Sequence, residues 1–164
     1  MRYDTEIKDV ELVDAEPKDI PDILQLIYEI ASYEKLTHEV TATLESLHES
    51  LFVRKRAHVI LAKYQNKTIG YMLYFFNYST FVGKENLYLE DLFVLEQYRH
   101  MGIGKALFKA LAKVAVLHDC KRIDWVCLNW NEPSLKFYQS IHAKRHDEWT
   151  LHRLSNEDIL ELAK

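Results

Sequence analysis

Only two cysteines, Cys120 and Cys127, occur in 164 residues, and they do not form a Cys-x-x-Cys pair. That excludes a disulfide-framed secreted scaffold and points to a reduced, cytoplasmic setting. No apolar run approaches the length needed to cross a bilayer, so a membrane partner is not expected. The first residues, Met1-Arg2-Tyr3-Asp4-Thr5-Glu6, contain no apolar signal core, so the sequons Asn66-Lys67-Thr68 and Asn77-Tyr78-Ser79 read as chance. Repeats, low-complexity tracts and linkers are absent. The eight histidines form no ligand constellation; His142 and His146 have helical spacing but flank an expected turn, so no metal is expected. A net charge of −4 argues against nucleic acid and suits a cationic small molecule.

Hydrophobic residues make up 48% and charged residues 28% of the chain, ordinary for one folded domain spanning 1–164. A first strand fits Val10 to Ala15. Helical periodicity follows from Ile20 to Tyr33, with Ile23, Leu26, Ile27 and Ile30 on one face. A shorter amphipathic helix fits Leu44 to Val53. His58–Tyr64 and Ile69–Phe76 read as a hairpin around Gln65-Asn66-Lys67. A strand is expected from Leu87 to Val94 and a helix from Gly102 to His118, with Ile103, Leu107, Leu111 and Val114 buried. Another strand is expected from Arg122 to Leu128. A helix should follow with Pro133 in its first turn and Asn131 or Glu132 as cap. A final strand is expected over Arg145–Leu154, then a helix over Glu157–Ala163 capped by Ser155. Early hairpins and later strand–helix alternation imply a mixed sheet in an α/β (α+β) layer arrangement.

The run from Leu87 to Lys105, LYLEDLFVLEQYRHMGIGK, concentrates the chemistry. An apolar strand is interrupted by two acids, Glu90 and Asp91. A strand does not bury two adjacent acids at random, so at least one is expected to line a cleft. Alternation along a strand would send the two to opposite faces. The chain then turns through Arg99, His100, Met101, Gly102, Ile103 and Gly104 into a helix. Free backbone N–H groups and the helix dipole make such a turn a phosphate site. It is not a P-loop: Arg99 stands where the first glycine is needed and Ala106 where Ser or Thr follows the lysine. It is not a dinucleotide fingerprint either, because Leu107 replaces the third glycine. What remains is Arg-x-x-Gly-x-Gly.

That loop resembles the pyrophosphate loop of the GNAT acetyltransferases. The string YLED-x-FV-x-x-x-YR-x-x-GIG, the segment Trp130-Asn131-Glu132-Pro133-Ser134-Leu135-Lys136-Phe137-Tyr138, and Ile23 through Glu34 extend the resemblance over nearly the whole chain. They are similar to the spermidine/spermine acetyltransferase branch, which includes thialysine acetyltransferases. The resemblance implies a mixed, mostly antiparallel sheet flanked by helices and splayed at the cofactor strand. It also implies acetyl-CoA as co-substrate, direct transfer through a ternary complex, and a homodimer. It assigns cofactor contacts to the backbone of Leu92, Phe93 and Val94, to Arg99, His100, Met101, Gly102, Ile103, Gly104 and Lys105, and to Asn131, Ser134 and Tyr138. In the family a glycine commonly stands at the position of His100, and serine or another residue at that of Lys105.

Acetyl transfer to an amine needs a base for the ammonium, donors for the oxyanion and an acid for the departing thiolate. An alkylamine has a pKa of about 10, so its deprotonation matters at neutral pH. The resemblance makes Tyr138 the acid, Glu90 the base acting through water, and Tyr33 and Glu34 part of the amine-binding mouth. Asp91 adds a further charge for the amine. Ser79 and Thr80 match the Ser-Thr pair of thialysine-type members, where polyamine-type members carry an acid. The expected function is N-acetylation of a small primary amine. Two rivals stay open: a protein or peptide acetyltransferase on the same scaffold, and a non-catalytic coenzyme A-binding module.

Overall fold

The computed structural model describes residues 1–164. They divide into two compact units, Met1–Val126 and Cys127–Lys164.

The first unit is built on six strands: β1 (Arg2–Tyr3), β2 (Val10–Asp14), β3 (His58–Tyr64), β4 (Lys67–Ser79), β5 (Lys84–Val94) and β6 (Ile123–Asp124). They lie in chain order across one sheet. Every pairing is antiparallel except β5 with β6, which is parallel. The β3–β4 turn is tighter than the expected three residues. Gln65 and Asn66 both take positive φ, 48° and 66°, the backbone of a two-residue hairpin turn whose twist matches its strands.

Helix α1 (Ile20–Glu34) covers one face of this sheet. Its Ile23 and Leu26 form a buried core with Val59, Leu61, Tyr71 and Phe93. The helix stops where Lys35 enters the left-handed region at φ 61°, and Leu36 N–H donates to the Ala31 carbonyl at 2.8 Å. The alternate strand residues Ile60 and Met72 are equally buried and, by the period of a strand, point to the other face. Helix α3 (Ile103–Leu117) buries Ile103, Leu107, Leu111 and Val114, the stripe expected from the sequence. Between these helices, Leu44–Val53 forms the short α2 (Leu44–His48) and one π-helical turn over Glu49–Val53. No helix is long and apolar enough to cross a membrane.

Two expected strands are corrected. Arg122–Leu128 shortens to Ile123–Asp124, which pairs only with Leu87 and Tyr88. Beyond Tyr88, β5 has no strand on that edge, so the sheet is splayed there. Arg145–Leu154 forms no strand. Its apolar residues Trp149, Leu151 and Leu154 are exposed, so an alternating face has nothing to bury. Arg145 and His146 instead pair locally with Asp147 and Glu148.

The second unit carries α4 (Glu132–Ser140) and α5 (Asn156–Leu162). Each begins as its sequence demands: Asn131 Oδ1 accepts Ser134 N–H at 3.3 Å, and Ser155 caps α5 in a reciprocal box with Asp158.

Candidate active site

The site begins with an irregularity in the β4–β5 ladder. Leu73 faces Asp91, yet its neighbour Tyr74 faces Leu89. Glu90 is therefore an extra residue with no partner, a β-bulge. The bulge breaks the alternation that would separate the two acids. Tyr71, Leu73 and Phe75 share one face of β4, so their partners Phe93, Asp91 and Tyr88 share the α1 face of β5. Glu90 joins Asp91 there, and both line one cavity. The expectation that they face opposite ways is thus overturned by a single inserted residue.

That cavity has a volume of about 370 Å³. Ile27, Ile30, Ala31 and Glu34 of α1 form one wall, the segment Leu36–Ala42 contributes another, and Glu90 and Asp91 form the floor. Glu34, Glu39, Glu90 and Asp91 give it four carboxylates and no lysine or arginine. Burial raises the carboxyl of Glu34 above its usual range. Asp91 is pushed up to about 6, chiefly by burial; the charges of Glu90 and Glu34 add to this, and a hydrogen bond from Tyr71 opposes it. The Tyr71 hydroxyl donates to Asp91 Oδ2 at 2.8 Å. Tyr71 sits within the apolar run Ile69–Phe76, where an aromatic reads only as core; the sequence held no signal for this contact.

The glycine turn follows β5 through a 3-10 turn over Glu96–Tyr98. His100 and Gly102 take positive φ, 65° and 83°. Gly102 is the residue before α3, and no side chain caps that helix. The first intrahelical bond runs from Ala106 N–H to the Gly102 carbonyl, which leaves the N–H groups of Ile103, Gly104 and Lys105 for an anion. The need for glycine lies at Gly102; Gly104 is within α3 and has no positive φ. The Arg99 side chain turns inward. Its guanidinium carbon lies 5.0 Å from the Tyr33 ring centre and 5.4 Å from that of Phe93, and its Nε donates to the Val94 carbonyl at 3.0 Å. Leu92, Phe93 and Val94 occupy the splayed stretch of β5, whose backbone edge suits strand-like pairing by an extended amide chain.

Ser79 and Thr80 do not line the cavity. Ser79 is buried in the β4–β5 turn, where its Oγ accepts Val82 N–H at 3.3 Å. It lies on the order of 20 Å along β4 from Leu73 at about 3.3 Å per residue. Thr80 is exposed in the same turn. In the second unit, Asn131 and Ser134 form the start of α4. Tyr138 is part-buried on that helix beside Phe137, ring centres 5.5 Å apart.

Comparisons with known proteins identify the family. Residues 20–143 match the Acetyltransferase (GNAT) family. The thialysine N-epsilon-acetyltransferase of Mus musculus is 35% identical, over 92% of this chain and 95% of its own length. The L-ornithine N5-acetyltransferase of Arabidopsis thaliana is 28% identical, over 92% and 86%. Among solved structures, an integron cassette protein from V. cholerae superposes with a TM-score of 0.80 at 28% identity, covering 95% of this chain and 98% of its own. The family match spans residues of both units, and with a relative 35% identical over most of both chains it shows that this chain belongs to the GNAT acetyltransferase family.

Proposed function

We propose that the chain transfers an acetyl group directly from acetyl-CoA to a small primary amine, within a ternary complex. The observation that carries this reading is the Glu90 bulge, which brings Glu90 and Asp91 to one cleft with Glu34. A cleft whose only charged groups are carboxylates favours an ammonium group.

Acetyl-CoA supplies the activated thioester. Its pantetheine amides pair along the open edge of Leu92–Val94, and the backbone N–H groups of the Arg99–Lys105 turn meet its pyrophosphate. Asn131 and Ser134 extend those contacts. Glu34 and Asp91 hold the substrate ammonium. Glu90, the exposed member of the acidic pair, takes the proton through water. Tyr138 returns a proton to the departing thiolate. The protein works as a homodimer.

The thialysine and ornithine acetylation named for the relatives supports a lysine-like amino acid as substrate. Its carboxylate must then lie outside the acidic cleft, and Ser79 and Thr80 bear on it only away from that cleft. A second reading, a short diamine or polyamine, is favoured by the absence of any basic group on the cavity wall. Specificity is the ratio of kcat/KM values. Measuring thiol release from acetyl-CoA with thialysine, ornithine, putrescine, spermidine, spermine and a lysine-containing peptide tests both. Thialysine or ornithine should exceed spermine; the reverse order replaces the first reading with the second. Cofactor binding without turnover of any amine would return the chain to a non-catalytic module, and turnover only with peptide amines to a protein acetyltransferase.

A further inference from the structure

Tyr71 is fully buried, at 0% exposure. A hydroxyl in that position must find a hydrogen-bond partner, and it finds Asp91 Oδ2 at 2.8 Å. The ring is packed in the core with Ile23, Leu26, Leu61 and Phe93, so the hydroxyl has little freedom to swing away. Anchored by one oxygen, Asp91 keeps its other oxygen for the cavity that it lines.

The charges of Glu90 and Glu34 oppose the ionisation of Asp91. Glu90 lies on the same strand, Glu34 on α1 and Glu39 on the segment after α1, and all line the same cavity. The Arg99 guanidinium is engaged over Tyr33 and Phe93. The Tyr71 hydroxyl is the donor that favours the charged form.

We propose that Tyr71 is a positioning residue of the reaction: its hydroxyl fixes Asp91 as the carboxylate that receives the substrate ammonium, and so sets the acid limit of amine binding. This rests on the amine-acetylating reading of the same cleft. Burial and the neighbouring acids already push Asp91 up to about 6, with Tyr71 acting against them. Loss of the donor moves Asp91 further up, into the range where the protein works.

The test uses the full chain labelled with carboxyl-13C aspartate. The Asp91 resonance is assigned by its disappearance in Asp91→Asn. Tyr71→Phe keeps the ring and removes the hydroxyl. The Asp91 midpoint should rise by about one to two pH units, the size expected for losing one hydrogen bond to a charged group. KM for the amine at pH 7 should rise about two- to tenfold by that same shift, recover above pH 9, and leave kcat at saturating amine nearly unchanged. The double variant Tyr71→Phe/Asp91→Asn should bind amine no worse than Asp91→Asn alone. An Asp91 midpoint that stays in place, or a KM penalty equal at every pH, overturns the proposal. If no amine is acetylated at all, the functional reading fails, while the resonance still decides whether Tyr71 controls Asp91.

Discussion

Arg99 is stacked on Tyr33, its guanidinium carbon 5.0 Å from the ring centre. The contact joins the glycine turn, the proposed cofactor site, to the last turn of α1, one residue before Glu34. A guanidinium over an aromatic face contributes about 0.5–2 kcal/mol. Arg99→Ala should therefore lower acetyl-CoA affinity and raise the amine KM together, each about two- to thirtyfold on that scale. Calorimetry with acetyl-CoA and steady-state kinetics with the amine read the two effects. A loss confined to the cofactor would mean that Arg99 serves the phosphate turn alone.

The backbone of that turn gives a second prediction. Gly102 has φ 83°, where a side chain costs about 1–2 kcal/mol, and it sets the direction of the N–H groups behind it. Gly102→Val should weaken acetyl-CoA binding in a folded protein. His100, at φ 65°, already bears such strain, in a region that glycine enters freely. His100→Gly should be tolerated or raise the melting temperature slightly. Unchanged cofactor affinity in Gly102→Val would remove the turn from the binding site.

The proposed mechanism has Tyr138 protonate the thiolate. Tyr138→Phe should lower kcat by about 10²–10⁴-fold, the range for general acid catalysis, with cofactor affinity kept. The change keeps the ring that contacts Phe137. Near-normal turnover would make Tyr138 structural.

The pH dependence of Glu90→Gln distinguishes relay from binding. A substrate amine with a pKa of about 10 is almost wholly protonated at neutral pH. If Glu90 relays that proton, the defect is large near pH 7 and shrinks as free amine accumulates above pH 9. A defect of constant size across this range assigns Glu90 to holding the cation.

Elements that depend on local pattern were legible in the sequence. The buried stripe Ile103, Leu107, Leu111 and Val114 follows helical period, and Asn131 and Ser155 cap the helices they precede. What escaped depends on partners distant in sequence. The bulge at Glu90 exists only in the register against Leu73 and Tyr74. Tyr71 looked like core and is core; its single polar atom gains meaning only from Asp91, reached across the sheet. Ser79 takes its expected role from the family resemblance alone; locally, its hydroxyl accepts Val82 N–H in the β4–β5 turn. Arg145–Leu154 alternates like a strand, yet its apolar side chains stay in solvent.

The unpartnered position of Glu90 has one more consequence. Losing a residue from a strand ordinarily slips its register and turns every later side chain to the wrong face. Here the ladder has one residue too many, and loss of that codon would leave Leu89 and Asp91 in regular alternation, each against the partner it already has. The sheet, the open Leu92–Val94 edge and Asp91 would keep their places; Glu90 alone would go. If Glu90 relays the proton as proposed, a single in-frame deletion separates folding from turnover and offers a short evolutionary route from an enzyme to a protein that only binds.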